Sequence, residues 1–154
     1  MRLRNVFMAM TFAISLFAAD PGIGVWKINL EKSTKLPSTA GPLRWDTITR
    51  EAVGSNGVRE TLTLNGKPSE DPPVTAYFDG KERPFSDRPG MTRIDRKIDD
   101  YHTESIFKQD GKEHQRVTIT ISPDGKTRTE TRTGTLRNGT VLKEPMIAVY
   151  EKVN

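Results

Sequence analysis

The sequence predicts an all-β fold, an antiparallel up-and-down meander closed into a barrel of about eight to ten strands behind an N-terminal signal peptide. Two patterns carry this. From Gly24 onward apolar and polar residues alternate with a period of two, β-branched residues abound, and no helical stretch of any length interrupts them. Between the alternating runs stand turn dipeptides, Asn56-Gly57, Asn65-Gly66, Asp79-Gly80, Asp110-Gly111, Asp124-Gly125 and Asn138-Gly139. Such pairs supply the positive φ angles that tight hairpins demand, so most neighbouring strands should pair directly.

The leader comes first. Met1, Arg2, Leu3 and Arg4 precede an apolar stretch from Val6 to Phe17, and the small residues Ala18 and Ala19 stand before Asp20. A charged start, apolar middle and small-residue end form the grammar of a secretory signal. A transmembrane anchor needs roughly 18 or more apolar residues, and this run is shorter and carries Thr11 and Ser15. The alternative is a buried N-terminal helix. Cleavage after Ala18 would suit a small last residue, although Leu16 two places earlier is larger than usual. With no cysteine in the chain, lipid attachment has no acceptor thiol. Residues 1–19 are thus read as signal peptide and 20–154 as one domain, periplasmic or extracellular.

The mature part is large enough for one core and too small for two. Without disulfides its stability must come from burial and sheet pairing. The formal charge of +4 rests on 24 Lys and Arg against 20 Asp and Glu, and Arg2 and Arg4 leave with the leader. Basic residues are scattered among acids rather than gathered in a stripe, which argues against nucleic acid as partner.

In order, Val25 to Leu30 alternates Trp26, Ile28 and Leu30 against Lys27 and Asn29. Leu43–Val53, Val58–Leu64, Val74–Phe78, Met91–Ile98, Tyr101–Phe107, Gln115–Ile121, Thr127–Leu136 and Met146–Val153 follow as strands. The longer, proline-bearing loops are Glu31–Pro42 and Pro84–Gly90, with Pro72-Pro73 ahead of a strand. Consecutive hairpins leave no room for crossover helices, and a meander of this length usually closes to remove its edges. A two-sheet sandwich is the alternative architecture.

Gly24-Val25-Trp26, the run Lys27 to Ser33, the recurrent Asp-Gly-Lys turns and the closing Ala148 to Lys152 resemble small secreted bacterial lipocalin-like (calycin-type) β-barrel proteins of uncharacterised function. In lipocalins a Gly-x-Trp stands on the first strand, its Trp closing one barrel end under a basic side chain. The resemblance implies that structural role for Gly24 and Trp26. Asp99-Asp100-Tyr101 matches the second lipocalin motif loosely, and the third, Arg-containing motif has no clear match.

Catalytic constellations are not recognised. His102 and Glu104 share a strand face and could ligate together, but zinc sites converge three or four ligands, and an exposed strand edge reads equally well. The chain has no cysteine nucleophile and no Gly-x-Ser-x-Gly elbow. The carboxylate pairs Asp99-Asp100 and Glu70-Asp71 fall in turns or loops, where water keeps carboxyls ordinary. No metal or cofactor is implied, and the Asn138-Gly139-Thr140 sequon is read as turn chemistry.

The most informative strand puts Thr127, Thr129, Thr131, Thr133 and Thr135 on one face and Arg128, Glu130 and Arg132 on the other. One face must point into the barrel. Threonine inward with charges in solvent is one reading. The resemblance implies the other, since related sequences place apolar residues where Arg128 and Glu130 stand. Inward charges would mark a polar pocket for an anionic or hydrogen-bonding ligand. Tyr101 and Ser105, with Thr103 and Phe107, share a second face, and Trp45 stands with Leu43 and Thr47 on the second strand. Together they suggest an aromatic wall with hydroxyls. The expectation is therefore a non-enzymatic exported barrel binding a small molecule through Trp45, Tyr101, Ser105, Arg128, Glu130 and Arg132. The alternative is an envelope interaction module using an outer face or loops. A continuous cavity reaching Arg128 would favour the first and a solidly packed lumen the second.

Overall fold

The computed structural model describes residues 20–34, 42–85 and 89–153. The strands are β1 (Gly24–Asn29), β2 (Thr47–Val53), β3 (Gly57–Leu64), β4 (Lys67–Pro68), β5 (Val74–Tyr77), β6 (Asp79–Pro84), β7 (Met91–Lys97), β8 (His102–Gln109), β9 (Lys112–Ile121), β10 (Thr127–Gly134) and β11 (Met146–Val153). They form one antiparallel sheet in the order β4-β3-β2-β1-β11-β10-β9-β8-β7-β6, with β5 added on β3. Chain neighbours pair from β1 to β4 and from β6 to β11, and β1 closes on β11 with Trp26 opposite Lys152. This is the up-and-down meander barrel. The leader assigned to residues 1–19 lies outside the described residues. Among those described, no helix is long and apolar enough to cross a membrane.

Two of the six hairpin dipeptides have both residues at positive φ, whereas at Asn56-Gly57 neither does and Gly54, at φ 60°, serves instead. Asn65 and Gly66, at φ 52° and 76°, turn β3 into β4, and Asp110 and Gly111, at φ 52° and 79°, turn β8 into β9. Two successive positive φ angles are what a type I′ turn needs. Gly24 has a different reason to be glycine. Its φ is 128°, and a Cβ there would meet the Lys152 side chain at 2.8 Å.

Among the described residues eleven strands appear where the sequence suggested nine, because two are hard to read. β4 is only two residues long. β6 holds Asp79-Gly80 and Pro84, which read as turn and loop, and a register shift between Asp79 and Glu82 absorbs the glycine. Its residues are almost all polar, so no alternation announces it. The second strand begins at Thr47 rather than Leu43, and the tenth ends at Gly134 rather than Leu136. β5 and β6, joined through Phe78, pair with β3 and β7 and not with each other. The Arg83 guanidinium lies 5.1 Å over the Tyr77 ring across this seam.

Trp26, Ile48, Val117, Ile119, Ile121 and Tyr150 are the buried apolar core, with Ile28, Trp45, Leu62, Phe107 and Ala148 packed on it. Trp26 is fully buried and its indole donates to the Gly22 carbonyl at 3.0 Å, while Lys152 Nζ lies 5.1 Å over its ring. Arg50 donates to the same carbonyl, so residues 20–22 plug the base.

Candidate ligand-binding site

Strand alternation decides what faces inward. On β10, Arg128 and Glu130 are 1% and 3% exposed and the threonines between them turn outward, so Arg128, Glu130 and Arg132 line the lumen. β2 and β3 add Arg50 and Glu60, paired strand neighbours in register. β7 adds Arg93 and Asp95. Apart from Asp71 and its arginine partners at the far end, the described interior thus holds four arginines, Arg50, Arg93, Arg128 and Arg132, against three carboxylates, Glu60, Asp95 and Glu130. One cation is in surplus.

The charges fall into two groups. In the first, Glu130 sits between Arg128, bonded at 3.0 Å, and Arg132, also bonded to it. Arg50 Nε lies 3.0 Å from Glu60, with Arg128 a further 3.7 Å away from the same oxygen. Aromatic faces cover these cations: Arg128 lies 5.0 Å over Tyr150 and Arg132 lies 5.9 Å over Trp45. The Trp45 indole donates to the Tyr150 hydroxyl at 3.2 Å. Burial alone would raise the Glu130 carboxyl, but Arg132 and Arg128 outweigh it and hold the group below its ordinary value. Glu60 behaves likewise under Arg50 and Arg128. Burial, reinforced by Glu130, pushes the Tyr150 hydroxyl up to about 12, so it stays protonated at neutral pH. Two buried nitrogens of Arg128, Nε and Nη1, have no hydrogen-bond partner among the described residues.

The second group is electrically neutral. Arg93 Nε donates to Asp95 at 2.6 Å and Arg93 Nη2 donates to Ser105 Oγ at 3.1 Å. The Ser105 hydroxyl in turn donates to Asp95 at 2.6 Å. Phe85 and Phe107, edge to face at 5.0 Å, hold the Arg93 guanidinium 5.7 and 5.2 Å from their ring centres.

Both groups open on one cavity of about 900 Å3. Its apolar wall includes Ile48, Leu62, Val117, Ile119 and Ala148, and it reaches Arg128. A third charged group stands at the opposite end. Asp71 accepts two bonds from Arg44, at 2.7 and 2.8 Å, and one from Arg137 at 2.5 Å. This one carboxylate joins the approach to β2, the β4–β5 link and the β10–β11 loop.

Of the residues expected from sequence, Trp45, Ser105, Arg128, Glu130 and Arg132 line this cavity. Tyr101 does not. The strand begins one residue later, at His102, and Tyr101 belongs to the β7–β8 turn, where its amide is capped by Asp99 at 2.8 Å and its side chain is 39% exposed. His102 turns to Asp99 and Glu104 to Arg116, so neither approaches the other as a ligand pair. Sequence reasoning missed Arg50, Glu60, Arg93 and Asp95. A signal existed for two of them: Arg50 shares a strand face with Ile48, and Glu60 with Val58 and Leu62.

No family model and no curated protein matches this chain. Solved structures do match its fold. The wild-type fluorescent protein UnaG is similar over 87% of this chain and 98% of its own, with TM-score 0.60 and 15% identity. Echinococcus granulosus fatty-acid-binding protein 1 is similar over 88% of this chain and 100% of its own, with TM-score 0.59 and 11% identity. Schistosoma mansoni fatty acid binding protein in complex with arachidonic acid is similar over 87% and 97%, with TM-score 0.55 and 13% identity. The chain therefore shares the β-barrel fold of these proteins.

Proposed function

We propose that this chain is an exported, non-enzymatic barrel that holds a small lipophilic ligand, bearing an acidic or hydrogen-bonding group, in its lumen. The observation that carries the reading is the cavity of about 900 Å3 with an apolar wall and a buried cationic surplus at its inner end. Ligand sites are commonly apolar hollows of about 300–1,000 Å3 with few, fixed polar groups. An interior charge surplus is costly without a counter-charge, and an acidic ligand supplies one. Two of the similar structures are fatty-acid-binding proteins by name, one with arachidonic acid bound, which is consistent with a lipophilic guest. A continuous cavity reaching Arg128 also favours lumenal binding over an envelope interaction module.

Native mass spectrometry of protein purified from its own periplasm tests both halves of the proposal. The expected spectrum shows a chain lacking the leader and a non-covalent adduct of small-molecule mass. Ligand-free protein alone would count against the binding function, and recovery of all 154 residues against the exported, processed form.

A further inference from the structure

Besides the sealed Arg128, which Glu130 and Tyr150 hold in the same way, the lumen contains one construction twice. On β10, Arg132 is tethered by the acid two residues before it, Glu130, and faces an aromatic ring, Trp45. On β7, Arg93 is tethered by the acid two residues after it, Asp95, and faces two rings, Phe85 and Phe107. Residues two apart on a strand share a face, so each carboxylate holds its guanidinium from the side and leaves one nitrogen, Nη1, outside those bonds. Arg132 and Arg93 are partly exposed, at 21% and 12% of the side chain, while Arg128 is sealed. These two are the interior cations that a guest can touch.

Their strands are not adjacent. Arg132 pairs in register with Val117, Val117 with Ser105, and Ser105 with Asp95, the residue two after Arg93. Three strand spacings of about 4.8 Å separate the two backbones by about 14 Å around the wall, with Val117 as an apolar step between them. They also differ in charge. Arg50, Arg128 and Arg132 exceed Glu60 and Glu130 by one, whereas Arg93 and Asp95 cancel.

From this we infer that the ligand is a two-headed amphiphile: an acidic group at Arg132, and a neutral oxygen-bearing group, such as a hydroxyl, at Arg93 and Ser105, joined by an apolar body. The inference rests on the lumenal-binding reading and names the ligand class for that site. A single-headed acid would satisfy the cationic centre but cover the Arg93 donor with hydrocarbon, and a covered donor forfeits its hydrogen bond. An extra hydroxyl is a penalty in a purely apolar cavity and an advantage only where a partner waits for it.

The test is isothermal titration of dodecanoic acid and ω-hydroxydodecanoic acid into the full mature barrel. Wild type should bind the hydroxy acid at least about tenfold more tightly, the ratio expected of one well-made hydrogen bond to a charged donor. The double variant Arg93→Met/Asp95→Asn, which removes both charges together, should reverse the order. Equal binding of the two acids by wild type, or weaker binding of the hydroxy acid, overturns the second head. A preference for the hydroxy acid that survives in the double variant overturns its placement at Arg93. If neither acid binds, the lumenal reading itself fails. The wild-type comparison stands even if the variant does not fold.

Discussion

The base and the mouth of this barrel are tied by the same chemistry, arginine on carboxylate, and differ in how much water reaches it. At the base Arg50 and Arg128 are 4% and 1% exposed, and the Tyr150 ring covers the Arg128 guanidinium. At the mouth Arg44 and Arg137 are 46% and 49% exposed around the single carboxylate of Asp71. A buried pair cannot lose one member cheaply, because the survivor is left charged in a medium that does not solvate it. A half-exposed pair exchanges its partner for water at little cost. The difference teaches that one contact type builds a fixed floor at one end and a separable fastening at the other.

Four substitutions would break or sharpen that comparison. Arg128→Ala should cost about 3–5 kcal/mol, since Glu130 loses a cation and Tyr150 its covering guanidinium. A urea midpoint equal to wild type would show the β10 charges to be unimportant to the floor. Trp26→Ala should cost roughly 3–5 kcal/mol through the cavity it leaves, and a loss under about 1 kcal/mol would show that the base is not plugged there.

Next comes pH. Glu130 and Glu60 have folded-state values below their ordinary 4.5, so the folded state holds fewer protons than the unfolded in that range. Their contribution is complete above the ordinary carboxyl value and is lost as pH falls from there through the depressed one. Unfolding free energies from pH 6 to pH 2, measured in urea, should show a slope that Glu130→Gln makes shallower. An unchanged slope would mean that other carboxyls carry the acid sensitivity.

At the mouth, Asp71→Asn should cost only about 1 kcal/mol, because both arginines already meet water. Its larger effect should be kinetic: bound dodecanoic acid, chased with unlabelled acid, should leave faster than from wild type. A stability loss matching that of Arg128→Ala would erase the distinction between the two ends.

Much of this was legible in the sequence. The hairpins were written in Asn65-Gly66 and Asp110-Gly111, whose φ angles are positive as those dipeptides prefer. Strand alternation placed Arg128, Glu130 and Arg132 on one face, though it could not say whether that face was wet, since threonine suits either side. Arg50, Glu60 and Arg93 were hidden for the same reason reversed: polar residues in a half-apolar strand look like its solvent side. Only pairing across strands brings Arg50 against Glu60. β6 was obscured by polar composition, and Tyr101 by a turn beginning where alternation still continued.

The central claim is that the guest occupies the lumen, and Ala148 gives the most direct access to it. Ala148 lies on β11 opposite Glu130 and lines the cavity wall. Replacing it with tryptophan would fill the space beside the charged cluster without removing an ionic group. Titration calorimetry with dodecanoic acid, run alongside urea unfolding, is the measurement. The account predicts one equivalent bound by wild type and none by Ala148→Trp, with both variants unfolding cooperatively. Undiminished binding by a folded Ala148→Trp would place the ligand on the outside of the barrel and contradict the account.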